Sequence, residues 1–150
     1  MTREALKRAA GYHAVSLVSD GMSIGLGSGS TARYATLCIA DKLRRQLLRD
    51  IVAVPTSEET AALARDRGIP LTTLEERGQL DITIDGADEI DPKLNAIKGL
   101  GGCLLREKIV AFASKRFVIV IDDSKLVNKL GSHCPVPVEV IRFGWRNTEK

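Results

Sequence analysis

Short, continuous apolar runs alternate with longer segments of helical periodicity, and this alternation restricts the fold more than anything else in the sequence. Ile51-Val-Ala-Val54 and Phe117-Val-Ile-Val-Ile121 are too short for helices and lack the polar alternation of a half-solvated strand, so each reads as a strand buried on both faces. Met22 to Leu26 and Asp81 to Ile84 add two more strands, and Leu71 to Leu74 a shorter one. Helices separate them. The first carries Leu6, Ala10, Ala14 and Leu17 and stops at Asp20-Gly21; others are expected over about 32–49, 57–67 and 102–114. Ser57 ahead of Glu58, Glu59 and Thr60 is a capped helix start, and Gly68 closes that helix. In the last helix, Leu105, Ile109 and Phe112 share a face and are expected to form its apolar stripe. Repeated strand, helix, strand units predict an α/β chain: a parallel-sheet, Rossmann-like three-layer domain with helices on both faces, spanning residues 1–131.

Composition narrows the partners. With 150 residues, 44% hydrophobic and 27% charged, the chain suits one globular core. The 22 Lys and Arg barely exceed the 19 Asp and Glu, and only Lys42, Arg44, Arg45 and Arg49 cluster, as on a solvated helix face. No nucleic-acid partner is expected. Cys38, Cys103 and Cys134 are odd in number and lack C-x-x-C spacing, which predicts neither a disulfide framework nor a thiolate zinc site and favours the reducing cytoplasm. No run approaches the roughly 18 apolar residues of a membrane span. After Gly131 the texture changes to Pro135-Val-Pro-Val-Glu-Val-Ile141 and ends in Gly144-Trp-Arg-Asn-Thr-Glu-Lys150. Residues 132–150 read as the start of a second, small α/β domain that is largely absent, with the two prolines excluding a central strand and Asn147-Thr-Glu-Lys reading as a helix start.

Ligands of parallel α/β sheets bind at the carboxyl ends of the strands, which brings three loops together: 27–31, 85–91 and 122–125. Gly25-Leu-Gly-Ser-Gly-Ser-Thr31 joins a strand to a helix, where turn amides and a helix N-terminus favour an anion. Ser30 stands where a dinucleotide fingerprint needs glycine and a triphosphate loop needs lysine, so the expected ligand is a small phosphate rather than a nucleotide. Asp85, Asp88, Glu89 and Asp91 do not make a calcium loop, because the twelfth position counted from Asp85 is Ala96. No metal and no cofactor are expected. Asp85 falls at a strand end, and neighbouring carboxylates raise one another's pKa, leaving one able to carry a proton near neutrality. Lys98 and Glu107 are placed to converge on the same site, and Lys125 to face it, although Glu107 taken alone reads as a surface acid favourable to its helix dipole. His13 and His133 are isolated from any Ser or Cys nucleophile motif, which disfavours a hydrolase triad.

At these residues the chain resembles ribose-5-phosphate isomerase, type A. The resemblance runs over residues 1 to 143 through Gly25-Leu-Gly-Ser-Gly-Ser-Thr-Ala32, Val54-Pro-Thr-Ser57, Ile84-Asp-Gly-Ala-Asp-Glu-Ile90, Ile97-Lys-Gly-Leu-Gly-Gly102, Leu105-Arg-Glu-Lys108, Asp123-Ser-Lys125 and Pro137-Val-Glu-Val-Ile141. It implies metal-free and cofactor-free interconversion of ribose 5-phosphate and ribulose 5-phosphate in the pentose phosphate pathway, by a cytoplasmic homodimer or homotetramer. It implies Glu107 as the base that moves a proton through an enediol, with Asp85, Asp88 and Lys98 assisting ring opening and proton exchange. Ser28, Gly29, Ser30, Thr31, Lys7 and Lys125 would bind phosphate and sugar; Gly86, Ala87, Gly99, Leu100 and Gly101 would complete the substrate contacts. Leu100 departs from the glycine usual in the family. Two other functions fit the same pattern: a sugar-phosphate binding domain without turnover, and an acyl-CoA transferase with a Glu nucleophile. The 27–31 loop and Asp85-Gly-Ala-Asp88 favour the isomerase over the transferase.

Overall fold

The computed structural model describes residues 2–150. Helix α1 (Arg3–Ala14) leads through a 3-10 turn at Val15–Leu17 into β1 (Ser23–Leu26), followed by α2 (Ala32–Arg44), β2 (Val52–Pro55), α3 (Glu58–Asp66) and the single turn α4 (Leu74–Arg77). Then come β3 (Ile82–Asp85), a hairpin of β4 (Glu89–Ile90) and β5 (Ala96–Ile97), α5 (Leu104–Phe112), β6 (Phe117–Ile119), a 3-10 turn at Asp123–Lys125, and α6 (Trp145–Thr148). Strands β2-β1-β3-β6 form one all-parallel sheet in that order.

The sheet is covered on both sides, unequally. Ile24, Leu26, Ile82 and Ile84 point to one face and pack with Ala14 of α1, Val15 of the 3-10 turn that follows it, and Ala35 and Ile39 of α2, making the main core. Gly25 and Thr83 lie on the other face, beneath α5. A Cβ on Gly25 would stand 1.9 Å from Thr83 Oγ1 and 2.7 Å from Val110 Cγ1, so this strand position has room only for glycine. Thr83 Oγ1 is in turn 2.6 Å from Ser114 Oγ, which donates to the Val110 carbonyl at 2.8 Å. Polar strand residues thus hold α5 where the other face uses isoleucine and leucine.

That polar underside reverses one expectation. Leu105, Ile109 and Phe112 are exposed, at 64%, 51% and 93%, while Glu107 and Val110 turn inward. Periodicity locates the apolar stripe of α5 but not the side the sheet takes. Phe117 is also exposed, because β6 is an edge strand rather than one buried on both faces. The helix expected to reach residue 49 ends at Arg44, where the chain turns through positive φ at Gln46 and Asp50 and still buries Leu48. Leu71 makes a single bridge to Ala53 instead of a strand, since Thr73 ends the extended stretch with a capping box to Glu76 at the start of α4.

The β4–β5 hairpin was not expected. Asp91-Pro92 looks like a helix start, yet the Asp91 carboxylate accepts the amides of Lys93 at 2.9 Å and Asn95 at 2.8 Å, and Leu94 adopts φ 64°, closing a tight turn. The hairpin matters because it returns the chain to the strand ends at Lys98. Beyond Gly131, residues 132–144 form neither helix nor strand, and α6 begins after left-handed Gly144, two residues before the expected Asn147. Among the described residues no helix is long and apolar enough to cross a membrane.

Candidate active site

The 27–31 loop lies directly on the end of β3. A Cβ on Gly27 would be 2.2 Å from Asp85 Oδ1 and 2.4 Å from Asp85 Cα, so two chain segments touch backbone to backbone. Hydroxyls at the end of β2 and the start of α3 fix the loop from the other side. Thr56 Oγ1 donates to the Leu26 carbonyl at 3.1 Å, Thr60 Oγ1 donates to the Gly27 carbonyl at 3.2 Å, and Ser28 Oγ lies 2.8 Å from Thr56 Oγ1. Ser57 caps α3 by accepting the Thr60 amide at 3.1 Å. No side chain caps α2, whose N-terminus opens beside the loop. Gly27→Ala is expected to destabilise the fold by about 1–3 kcal/mol, because Asp85 backbone cannot retreat. Denaturant unfolding measures this, and an unchanged midpoint would mean the loop is free to move off β3.

Asp85 closes β3 and has no exposed surface. Its Oδ1 accepts the amides of Ser28 at 3.0 Å and Gly86 at 2.7 Å, and its Oδ2 is 3.1 Å from Lys98 Nζ. Lys98 leaves β5, donates also to the Gly86 carbonyl, and lies 3.2 Å from Glu107 Oε2 on the first turn of α5. One ammonium therefore stands between two buried carboxyls. Burial is the largest influence on Asp85 and raises its pKa, with Lys98 pulling the other way. Burial likewise raises Glu107 most, and the neighbouring Asp85 raises it further against the opposition of Lys98. A glutamate poised above its ordinary range and aimed into a cleft is suited to take and return a proton. Asp88 completes the rim: its Oδ2 accepts the Leu100 amide at 3.0 Å and its own amide donates to the Ile97 carbonyl at 2.8 Å, tying the two arms of the hairpin.

These groups border one pocket of about 430 Å³. Ser28, Gly29, Ser30, Thr31, Gly86, Ala87, Asp88, Lys98, Gly99, Gly101, Glu107 and Lys125 line it, and Asp85 sits beneath. Lys125 arrives on the 3-10 turn that Asp122 caps by accepting the Ser124 amide at 3.0 Å. Three of the expected residues do not line the pocket: Asp85 beneath it, Leu100 and Lys7. Leu100 points outward, 52% exposed, and contributes its backbone amide to Asp88. Lys7 lies on α1, where it joins Arg3 in holding down the Asp122 carboxyl, behind the larger effect of the Ser124 hydroxyl. Conversely, Ser57, Glu58, Glu59, Cys103 and Val120 line the pocket without having been singled out as site residues. The loop after β2 is as much a strand end as the other three, and that rule alone locates Ser57 to Glu59. Among the described residues, no group of three His, Cys, Asp or Glu side chains is placed to hold a metal ion.

Comparison with known proteins gives consistent results. Residues 52–150 match the family described as ribose 5-phosphate isomerase A (phosphoriboisomerase A). Ribose-5-phosphate isomerase A of Chloroflexus aurantiacus is 58% identical over 149 residues, covering 99% of this chain and 61% of that protein. A solved D-ribose-5-phosphate isomerase in complex with phospho-erythronic acid superposes with a TM-score of 0.97 at 41% identity, over 99% of this chain and 65% of that one. The ribose 5-phosphate isomerase from Plasmodium falciparum gives a TM-score of 0.92 at 49% identity, over 96% of this chain and 62% of that one. The chain spans about three fifths of the length of the curated relatives it matches, with coverages of 61%, 65% and 56%.

Proposed function

This chain belongs to the ribose 5-phosphate isomerase A family, and on that premise we propose that its pocket interconverts D-ribose 5-phosphate and D-ribulose 5-phosphate, the step of the pentose phosphate pathway that links aldose and ketose. The observation that carries the reading is Lys98 held between Asp85 and Glu107, both raised in pKa, on the rim of an amide- and hydroxyl-lined phosphate loop. With the phosphate at 28–31 and Lys125, the sugar extends toward Glu107. The Glu107 carboxylate takes the proton from C2 of the open aldehyde, and the electron pair moves through C1 to its oxygen. Lys98 and the amides of Gly99 and Gly101 stabilise the enediolate, and the same glutamic acid returns the proton to C1. Asp85, Asp88 and Lys98 assist ring opening and transfer the hydroxyl proton between O2 and O1.

The ligand of the superposed relative supports this assignment. Phospho-erythronic acid is a four-carbon acid phosphate whose carboxylate resembles the planar, anionic end of an enediolate, which a site built for that intermediate would prefer. Turnover without a metal ion follows from the proton chemistry, since every group it needs is a side chain or amide of the pocket. The family resemblance extends the reading to a homodimer or homotetramer, which the exposed Leu105, Ile109 and Phe112 support, and to the cytoplasm, whose reducing state suits three unpaired cysteines.

Conversion of ribose 5-phosphate to ribulose 5-phosphate, assayed with purified chain and excess chelator, tests the proposal. Turnover unaffected by chelator is expected. Its absence, with inorganic phosphate still raising the melting temperature, would reduce the assignment to sugar-phosphate binding.

A further inference from the structure

Glu89 follows Asp88 directly but points away from the pocket. It has no exposed surface, and no cation forms an ion pair with it among the described residues. Its oxygens instead gather three backbone amides from a distant segment: Gly131 on Oε2 at 2.6 Å, and His133 and Cys134 on Oε1 at 2.5 and 2.9 Å. Burial opposes its charge more than any other single influence, yet the three donations together hold its carboxyl below the ordinary glutamate range. An acid that merely solubilised a turn would face water.

The segment it gathers leads back to the site. Three residues after Cys134, Pro137 packs against Gly99, close enough that a Cβ on Gly99 would be 3.1 Å from Pro137 Cγ, with Leu104 at the same distance. Gly99 adopts φ 110° there. Leu130, Val136 and Pro137 also wall an apolar cavity of about 440 Å³ against Ile97, the Lys98 stem and Glu107. Contacts therefore run unbroken from Glu89 through 131–134 and Pro137 to Gly99 and Lys98.

We propose that Glu89 is a positioning residue: its carboxylate gathers the 131–134 amides, seats Pro137 against Gly99, and so holds Lys98 between Asp85 and Glu107. The catalytic half of this statement rests on the isomerase reading above; the structural half does not. Charge is essential to the role, because a glutamine offers one acceptor oxygen and one NH2. Whichever way it turns, either the Gly131 amide or the His133 and Cys134 pair meets a second donor.

Hydrogen exchange on Glu89→Gln, without substrate, tests the structural half. Exchange is expected to accelerate about tenfold or more at 131–134 and also at 98–102, with β1 unchanged. Acceleration confined to 131–134 would overturn the proposal. Pro137→Ala breaks the path without touching the buried carboxylate, and keeps the test decisive if Glu89→Gln does not fold. It should loosen 98–102 alone, and protection of 98–102 equal to wild type would overturn the proposal. With ribose 5-phosphate as substrate, Glu89→Gln should lower kcat on the order of ten- to a hundredfold while KM stays within about threefold, since the 28–31 loop is untouched. Unchanged kcat would refute the positioning role, whereas an inactive wild-type chain would refute the isomerase reading and leave the exchange experiment to decide on Glu89.

Discussion

Glu107→Gln is expected to lower kcat by about 10²- to 10⁴-fold while leaving the affinity for inorganic phosphate within about twofold of wild type. The substitution keeps the size of the side chain and an oxygen for Lys98 Nζ, 3.2 Å away, but removes the only group on α5 that can accept a proton in the pocket. The phosphate loop is held by Thr56, Thr60 and the end of β3, none of which touches Glu107 in that network, so binding and turnover should separate. The pH profile carries the stronger test. Burial and Asp85 hold Glu107 above the ordinary glutamate range, and a base works only when ionised, so wild-type kcat should rise with pH through that elevated value. Residual turnover in the variant should lack this limb. Retained turnover with the limb intact would assign the base to another residue, and the kcat profile of wild type and variant between pH 4 and pH 9, about the range spanning such a shifted carboxyl, decides it.

The features legible in the sequence are the local ones. A glycine-rich turn after a short apolar strand places a phosphate loop whatever surrounds it, and Asp85 is marked by standing where the Ile82 to Ile84 alternation stops. Lys98 follows from its loop in the same way. The burial of Glu107 was not legible, because Leu105, Ile109 and Phe112 outnumber the inward residues of α5 and only the polar underside of the sheet, Thr83 and Asp85, decides which face turns in. That is long-range information carried by a different strand. Glu89 fails for a related reason: within Asp85 to Asp91 it is one acid among four, and its three amide donors lie more than forty residues away. Thr56 and Thr60 are ordinary helix-start residues until β1 and β2 lie side by side. Leu71 to Leu74 and Asp91-Pro92 went wrong where side chains of Thr73 and Asp91 compete for backbone amides, a choice that apolar patterning does not record.

Lys98→Met should be the most damaging single substitution for stability, costing about 3–5 kcal/mol near neutral pH, because it leaves two buried carboxyls without their shared cation. Methionine nearly matches the volume of the lysine stem, so the wall that Lys98 gives the apolar cavity is kept and the loss reports charge rather than packing. The pH dependence separates the two. Asp85 and Glu107 both have raised pKa in the folded chain, so between the ordinary carboxylate range and their raised values the native state binds more protons than the unfolded state, and stability declines as pH rises. Lys98 limits that decline by pulling both values down. Without it the carboxyls hold their protons to still higher pH, and the decline continues where wild type has levelled off. The deficit of the variant should therefore be small below about pH 4, where both proteins carry neutral carboxyls, and should grow as pH climbs through the wild-type values. Paired denaturant titrations at about pH 4 and pH 8 measure it, and a deficit equal at both would show that Lys98 acts through packing. Turnover should fall by about 10²-fold or more in the same variant, since the one cation that faces the developing oxyanion also keeps Glu107 ionisable. Stability and catalysis thus depend on the same ammonium, with opposite demands: the fold is eased by protonated carboxyls, whereas the proposed reaction needs one of them bare, and Lys98 is the group that makes the ionised state tolerable inside the protein.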